Sequence, residues 1–246
     1  MNYLTKMKNT KIAINGFFGR MGQAIYELSL EQKFNVTLGV DKKDKLQSAL
    51  NLKLSDKLSK HPELFDVVID FSLPEPCLNA VKECQMLNKP ITIGTTGFNS
   101  EQKDMLVEAS KDIPLLLAPN MSIGVNVTLR SISELSKLLS KYEVSIEETH
   151  HKNKLDSPSG TALKIAEVIA KSRQSNLSDI KIESFREEGE VGIHKTVFKS
   201  PDDEIILYHN AYNRKIFAQG ALDTSQWISK QSSGFYTYEN YLEDIS

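Results

Sequence analysis

KIAINGFFGRMG, residues 11–22, sets a short apolar run against three glycines and then opens a helical period. Strands buried in a parallel sheet read as continuous apolar runs, and Gly16, Gly19 and Gly22 fall where such a strand turns into a helix. Missing side chains allow the tight turn, and the helix start presents amides and a positive dipole end to a pyrophosphate. The spacing is a GxxGxxG variant, which alone suits a plain tight turn equally well. Its position decides. A second apolar run, FNVTLGVD, ends at Asp41, 19 residues beyond Gly22, where a carboxylate grips a ribose hydroxyl.

Working outward, DVVIDFS, an amphipathic stretch from Glu75 to Leu87 and PITIGTTG continue the alternation of strand and helix. A helix over 100–110 and a strand over 114–119 follow, so residues 1–121 read as a Rossmann-type α/β domain with a doubly wound parallel sheet. After Asn120 the pattern changes to a long amphipathic helix from Ile123 to Leu139, the strand YEVSIEETHH, a polar loop and a helix from Pro158 to about Lys171. HKTVFKS and DEIILYHN then alternate as antiparallel strands do. Residues 122–220 therefore form a second α+β domain with a mixed or antiparallel sheet. The final stretch carries the single tryptophan, Trp227, and the aromatics Phe235, Tyr236 and Tyr238, which require burial.

Composition narrows the function. Thirty Lys and Arg stand against 32 Asp and Glu in 246 residues, which gives no electrostatic case for nucleic acid or a membrane surface. No apolar run approaches a membrane span, and the first ten residues lack a signal-peptide core, so the expected location is the cytoplasm. Met7 is a candidate initiator, since nothing before Lys11 carries a pattern. Cys77 and Cys84 lie two helical turns apart, roughly 10 Å along the axis, too far to bridge locally.

The candidate cofactor residues are Gly16, Phe17, Phe18, Gly19, Arg20, Met21, Asp41 and Lys42, with the strand-end loops Gly94-Thr95-Thr96 and Ala118-Pro119-Asn120-Met121. Those loops lie outside the carboxyl ends of strands, where open α/β sheets bind ligands. Arg20 suits a phosphate and equally a solvated surface. Asp41 repels a 2′-phosphate while Lys42 and Lys43 attract it, so both NADH and NADPH are expected, NADH at least as good.

The densest polar string is EETHHKNKLDSPSGT, residues 147–161. It runs from a strand through a loop into a helix opened by Ser157-Pro158 or Ser159, and Gly160 and Thr161 present first-turn amides suited to carboxylates. Adjacent histidines on a strand face opposite ways, so no metal site is expected from His150 and His151. Beside an anion-ready helix start, His150, His151 and Lys154 suit acid–base and carboxylate-binding work.

The strings GFFGRMG, VVIDFSLPE, IGTTGF, APNMSIGVN, EETHHKNKLDSPSGTA and FAQGA, taken in this order, resemble the 4-hydroxy-tetrahydrodipicolinate reductase (dihydrodipicolinate reductase) family. The resemblance spans residues 12–222 and implies NAD(P)H-dependent reduction of a cyclic dicarboxylate in lysine and diaminopimelate synthesis. It assigns proton donation to His150 and Lys154, and the substrate carboxylates to His151, Gly160 and Thr161. It also implies a homotetramer built through the second domain and a return of residues 221–246 to the nucleotide domain, burying Trp227. Phe17 and Phe18 stand where the family usually has small residues, and the segment between Lys171 and Arg186 is shorter than in longer members.

Two other readings use the same glycine loop. A dehydrogenase of aldehydes or sugars is one, but its semialdehyde version needs a nucleophilic cysteine, and Cys77 and Cys84 lie on the apolar side of an early helix. A non-catalytic dinucleotide sensor is the other, and it has no use for His150, Lys154 and the Gly160-Thr161 anion site.

Overall fold

The computed structural model describes residues 9–43, 52–152, 154–188 and 191–246; Met7 lies outside them. The chain divides into two compact units, one ending at Ser122 and completed by Lys215–Ser246, the other Ile123–Arg214.

In the first unit, β1 (Lys11–Asn15), β2 (Asn35–Val40), β3 (Lys53–Ser55), β4 (Val67–Asp70), β5 (Ile91–Ile93), β6 (Pro114–Leu117) and β11 (Gly234–Tyr236) form one sheet. Its order is β11-β6-β5-β4-β1-β2-β3, and every pairing is parallel. The strand order reverses between β1 and β4, which makes their carboxyl ends the topological switch point. Alternate strand residues feed two cores. Ile12, Ile14, Val67 and Ile69 pack with α1 (Arg20–Gln32) and α6 (Lys215–Ile228). Ala13, Val68, Ile91 and Ile93 pack with α2 (Pro74–Leu87) and α3 (Ser100–Ala109). Burial on both faces explains why these strands are uniformly apolar, and each such side chain contributes about 1.5–3 kcal/mol. The thiols of Cys77 and Cys84 sit inside the second core, where burial raises both pKa values. Neither is a nucleophile, so the semialdehyde dehydrogenase reading loses its required group.

The chain re-enters the first unit at Lys215, ahead of Ala221, because α6 begins there and its buried face runs through Ala218, Ala221 and Leu222 as one stripe. β11 then pairs with β6, and α7 (Tyr238–Ile245) closes over Trp227. The indole Nε1 donates to Asp244 Oδ2 at 2.8 Å, and Tyr236 and Tyr241 pack edge-on against the ring. Phe235 remains partly exposed.

In the second unit, α4 (Ile123–Leu138) and α5 (Gly160–Arg173) cover one face of a four-stranded sheet ordered β10-β9-β7-β8. The strands are β7 (Glu143–His151), β8 (Lys181–Glu187), β9 (Gly192–Lys199) and β10 (Glu204–Ala211). β10 and β7 pair antiparallel with β9, whereas β8 is parallel to β7, so the sheet is mixed. Ile132, Ile146, Ala162, Ile165, Ile169 and Phe198 form its core.

Candidate active site

The glycine loop is fixed from three sides. Gly16 has φ +79°, and a Cβ there would meet Phe71 O at 2.5 Å, so only glycine fits. The amides of Gly16 and Phe17 both donate to Val40 O at 3.0 and 3.1 Å, and Gly19 N donates to Gly16 O at 3.0 Å. Phe18 N donates to Asp41 Oδ2 and Lys42 N to Asp41 Oδ1, both at 2.8 Å. Asp41 thus anchors the loop as well as ending β2. Gly19 caps α1 without a side chain, which leaves the first-turn amides of Arg20, Met21 and Gly22 outside the intrahelical ladder. An anion finds its donors there. Phe17, in contrast, turns its ring into the core and donates its amide to Val40 O, so neither group faces a ligand.

A cavity of about 730 Å³ opens over this loop, lined by Gly16, Gly19, Asp41, Lys42, Lys57 and Lys82 among others. Its acids are engaged: Asp41 by the two amides, Asp56 by Lys60 at 2.6 Å, and Glu83 by Ser59 N at 2.6 Å. Among the described residues, the ammonium groups of Lys42, Lys57 and Lys82 have no ion-pair partner. The cavity's size, its glycine floor and its first-turn amides fit a dinucleotide.

Beneath it, Asp70 is completely buried at the end of β4. Its carboxylate accepts from Asn15 Nδ2 at 2.5 Å, Thr95 Oγ1 at 2.6 Å and Ser72 Oγ at 3.0 Å. Burial raises its pKa, and the hydrogen bonds from Thr95 and Asn15 oppose that rise. The network ties the carboxyl ends of β1, β4 and β5 into a floor, and it points the Thr95 hydroxyl away from solvent. Gly94 lies against the Phe71 ring, Thr96 is exposed, and Asn120 accepts the Ser122 amide at 2.9 Å. Pro119 is exposed, whereas Ala118 and Met121 are core residues that can reach a ligand only through their backbones. Asp70 carries no motif of its own; its signal was a carboxylate closing an otherwise apolar buried strand.

In the second unit, β7 alternation places Ile146, Glu148 and His150 on the buried face and turns His151 the other way. His150 Nδ1 bonds the Glu148 carboxylate. The other Glu148 oxygen accepts from Arg186 Nη1 at 3.0 Å and Ser159 N at 3.3 Å. Ser159 is the N-cap of α5: its Oγ accepts the Ala162 amide at 3.2 Å and shares a hydrogen bond with His194 Nε2 at 3.1 Å. The His150 and His194 rings pack edge to face, 5.1 Å between centroids. Gly160 and Thr161 follow as the first two helical residues, and the space beside Gly160 is open. Lys154 Nζ donates to Asp156 Oδ1 at 2.8 Å.

Electrostatics follow from burial. Desolvation pushes Glu148 up, but hydrogen bonds from Ser184 and Arg186 and the His150 charge bring it below its ordinary value, so it is ionised. Desolvation lowers His150 although Glu148 opposes it, and desolvation with the neighbouring His150 charge pushes His194 down to about 3. His194 is therefore neutral. Glu148, His150 and His194 bring donor atoms within 4.8 Å of one another, but Arg186 already supplies the positive charge beside that carboxylate.

The structure thus gathers His150, Gly160 and Thr161 around Glu148, Arg186, Ser159 and His194, and places His151 on the opposite side of the strand. Residues 10–121 match the family description "Dihydrodipicolinate reductase, N-terminus", and residues 124–242 match "Dihydrodipicolinate reductase, C-terminus". The chain belongs to the dihydrodipicolinate reductase family. A 4-hydroxy-tetrahydrodipicolinate reductase of Buchnera aphidicola subsp. Cinara cedri is 35% identical, covering 97% of this chain and 99% of that protein. One from Lawsonia intracellularis is 36% identical over 91% of this chain and 95% of its own length. Among solved structures, dipicolinate-bound dihydrodipicolinate reductase from Paenisporosarcina sp. TG-14 superposes with a TM-score of 0.84 at 25% identity, covering 94% of this chain and 98% of that one.

Family membership accounts for the two-unit plan but does not by itself pick out Glu148, Arg186 and His194. They come together through pairing: Glu148 opposes His194 and His150 stands beside Arg186. One local signal was the i, i+2 spacing of Glu148 and His150, which puts both on one face of a strand.

Proposed function

We propose that this chain catalyses the NAD(P)H-dependent reduction of 4-hydroxy-tetrahydrodipicolinate to tetrahydrodipicolinate, a step of lysine and diaminopimelate biosynthesis. The observation that carries the reading is the His150–Glu148–Ser159 cluster at the start of α5, a proton-bearing ring set beside the first turn of that helix in a chain whose other unit is built for a dinucleotide. When bound, the nicotinamide cofactor supplies the hydride. The first-turn amides of Arg20 and Met21 hold its pyrophosphate, and Asp41 and Lys42 flank its ribose. Both NADH and NADPH serve, because Asp41 favours a free ribose while Lys42, Lys57 and Lys82 balance a 2′-phosphate.

Gly160 and Thr161 take one substrate carboxylate through backbone amides and the Thr161 hydroxyl. Lys154 exchanges Asp156 for the other carboxylate, an exposed ion pair that is inexpensive to break. His150 delivers the proton that completes reduction, and the 4-hydroxyl group leaves as water. Burial alone leaves its ring largely neutral, but a dianion bound beside it raises its proton affinity, so the acid forms when substrate arrives. The protein acts in the cytoplasm as a homotetramer assembled through its second unit.

The test is oxidation of NADH or NADPH in the presence of the condensation product of pyruvate and aspartate semialdehyde. Turnover with this product and none with simple aldehydes is expected; equal rates with both would overturn the reading. Sedimentation at assay concentration reports the oligomer.

A further inference from the structure

His150 has two ring nitrogens, and the fold treats them differently. Nδ1 is held by Glu148, a carboxylate with no exposed surface. Nε2 faces Gly192 on β9, where a Cβ would come within 2.9 Å of it. Any side chain at that position would press on the nitrogen that has to meet a ligand. Glu148 is also bonded to the Ser159 amide, the N-cap of the helix whose next two residues are Gly160 and Thr161. One carboxylate therefore fixes the ring and the anion-binding helix start relative to each other.

We propose that Glu148 is the positioning residue of the site: it accepts the Nδ1 proton of His150, so that the transferable proton sits on Nε2 in the clearance left by Gly192. The proposal rests on the reading that His150 is the proton donor. The groups facing the His150 ring are Glu148 on its own strand, Arg186 from β8, neutral His194 from β9 and Lys154 from the following loop. Glu148 is the one anion among them. Without its charge, Arg186 and Lys154 act on the imidazole unopposed, and its proton affinity falls. A neutral imidazole without Glu148 is also free to place its proton on either nitrogen.

Long-range ¹H–¹⁵N correlation spectra of the resting protein test the tautomer without any turnover, with His150→Gln identifying the His150 signals among the five histidines. The expected result is Nδ1–H in the native protein. In Glu148→Gln, the titration midpoint of His150 should fall by about one unit or more. In turnover, Glu148→Gln should lower kcat by about tenfold to a hundredfold and move the pH profile, with NADH binding unchanged. Glu148→Asp keeps the charge and should restore the native pH profile in part. If Glu148→Gln does not fold, Gly192→Ala serves: it should reduce kcat while the Nδ1–H tautomer persists. An Nε2–H tautomer in the native protein, or an unchanged pH profile in Glu148→Gln, overturns the proposal and leaves the reductase reading standing. A native protein with the expected tautomer but no turnover overturns the reductase reading instead.

Discussion

Replacing Asp41 separates two jobs that one side chain performs. Its Oδ2 accepts the Phe18 amide and its Oδ1 the Lys42 amide, each at 2.8 Å, while the carboxylate also borders the dinucleotide cavity. A hydrogen bond to a charged acceptor is worth about 1.5–3 kcal/mol, so Asp41→Ala should loosen the glycine loop and weaken both cofactors by about tenfold to a hundredfold. From sequence alone, Asp41→Ala is expected to spare NADPH; with the loop amide anchored on that carboxylate, it should not. Asp41→Asn keeps an oxygen for Phe18 N and removes the charge. A unit charge about 4 Å away is worth about 4 kcal/mol at an effective dielectric near 20, before screening. Even a third of that shifts the NADPH/NADH preference by about tenfold. The assay is fluorescence titration of both cofactors against native protein and both variants, with kcat/KM alongside. Native NADPH affinity in the Ala variant would refute the anchoring role. A cofactor ratio within a factor of two of native in the Asn variant would refute the placement of Asp41 beside the ribose.

Because burial holds the folded pKa of His194 at about 3, below its ordinary 6.5, the unfolded chain binds the extra proton first, and stability present above pH 6.5 is lost as pH falls toward 3. At pH 5 this amounts to about 2 kcal/mol, so denaturation midpoints should drop between pH 7 and 5, and His194→Gln should flatten that drop. Lys154→Ala should raise the substrate KM and lower kcat by at least about tenfold, and Asp156→Asn, which releases the ammonium, should lower KM; unchanged KM in both removes Lys154 from substrate binding. Since Arg186 occupies the place of a cation beside Glu148, dialysis against a chelator should leave activity and the melting temperature unchanged, and loss restored by zinc would contradict this.

The first unit was legible because its strands are buried on both faces and its turns use glycine where nothing else fits. KIAIN, VVID and ITI carry their own burial in their composition, and Gly16 marks the turn that its positive φ demands. Three strands escaped for physical reasons. β3 and β11 have three residues each, too few for any period, and exist because a neighbouring strand offers an edge. β8 mixes Lys181, Glu183, Arg186 and Glu187 with few apolar residues, since one end of it serves the polar cluster instead of the core.

The candidate site divides along the same line. His150, Lys154, Gly160 and Thr161 lie in one string, so their proximity is a matter of local chain length. Arg186 and His194 enter only through strand pairing, and local periodicity gives the face of a strand without giving its partner. Register then determines the chemistry. Glu148 pairs with His194 and Thr149 with Ile193, on opposite faces of the sheet. A slip of one residue between β7 and β9 would set Ile193 or Lys195 across from Glu148 and send His194 to the other face. The fully buried Phe198, paired with Val144 farther along, resists that slip, because exposing it would cost about 1.5–3 kcal/mol. The apolar end of the strand pair therefore holds the polar end in register, and the acid–base geometry at His150 depends on a phenylalanine that never approaches it in sequence.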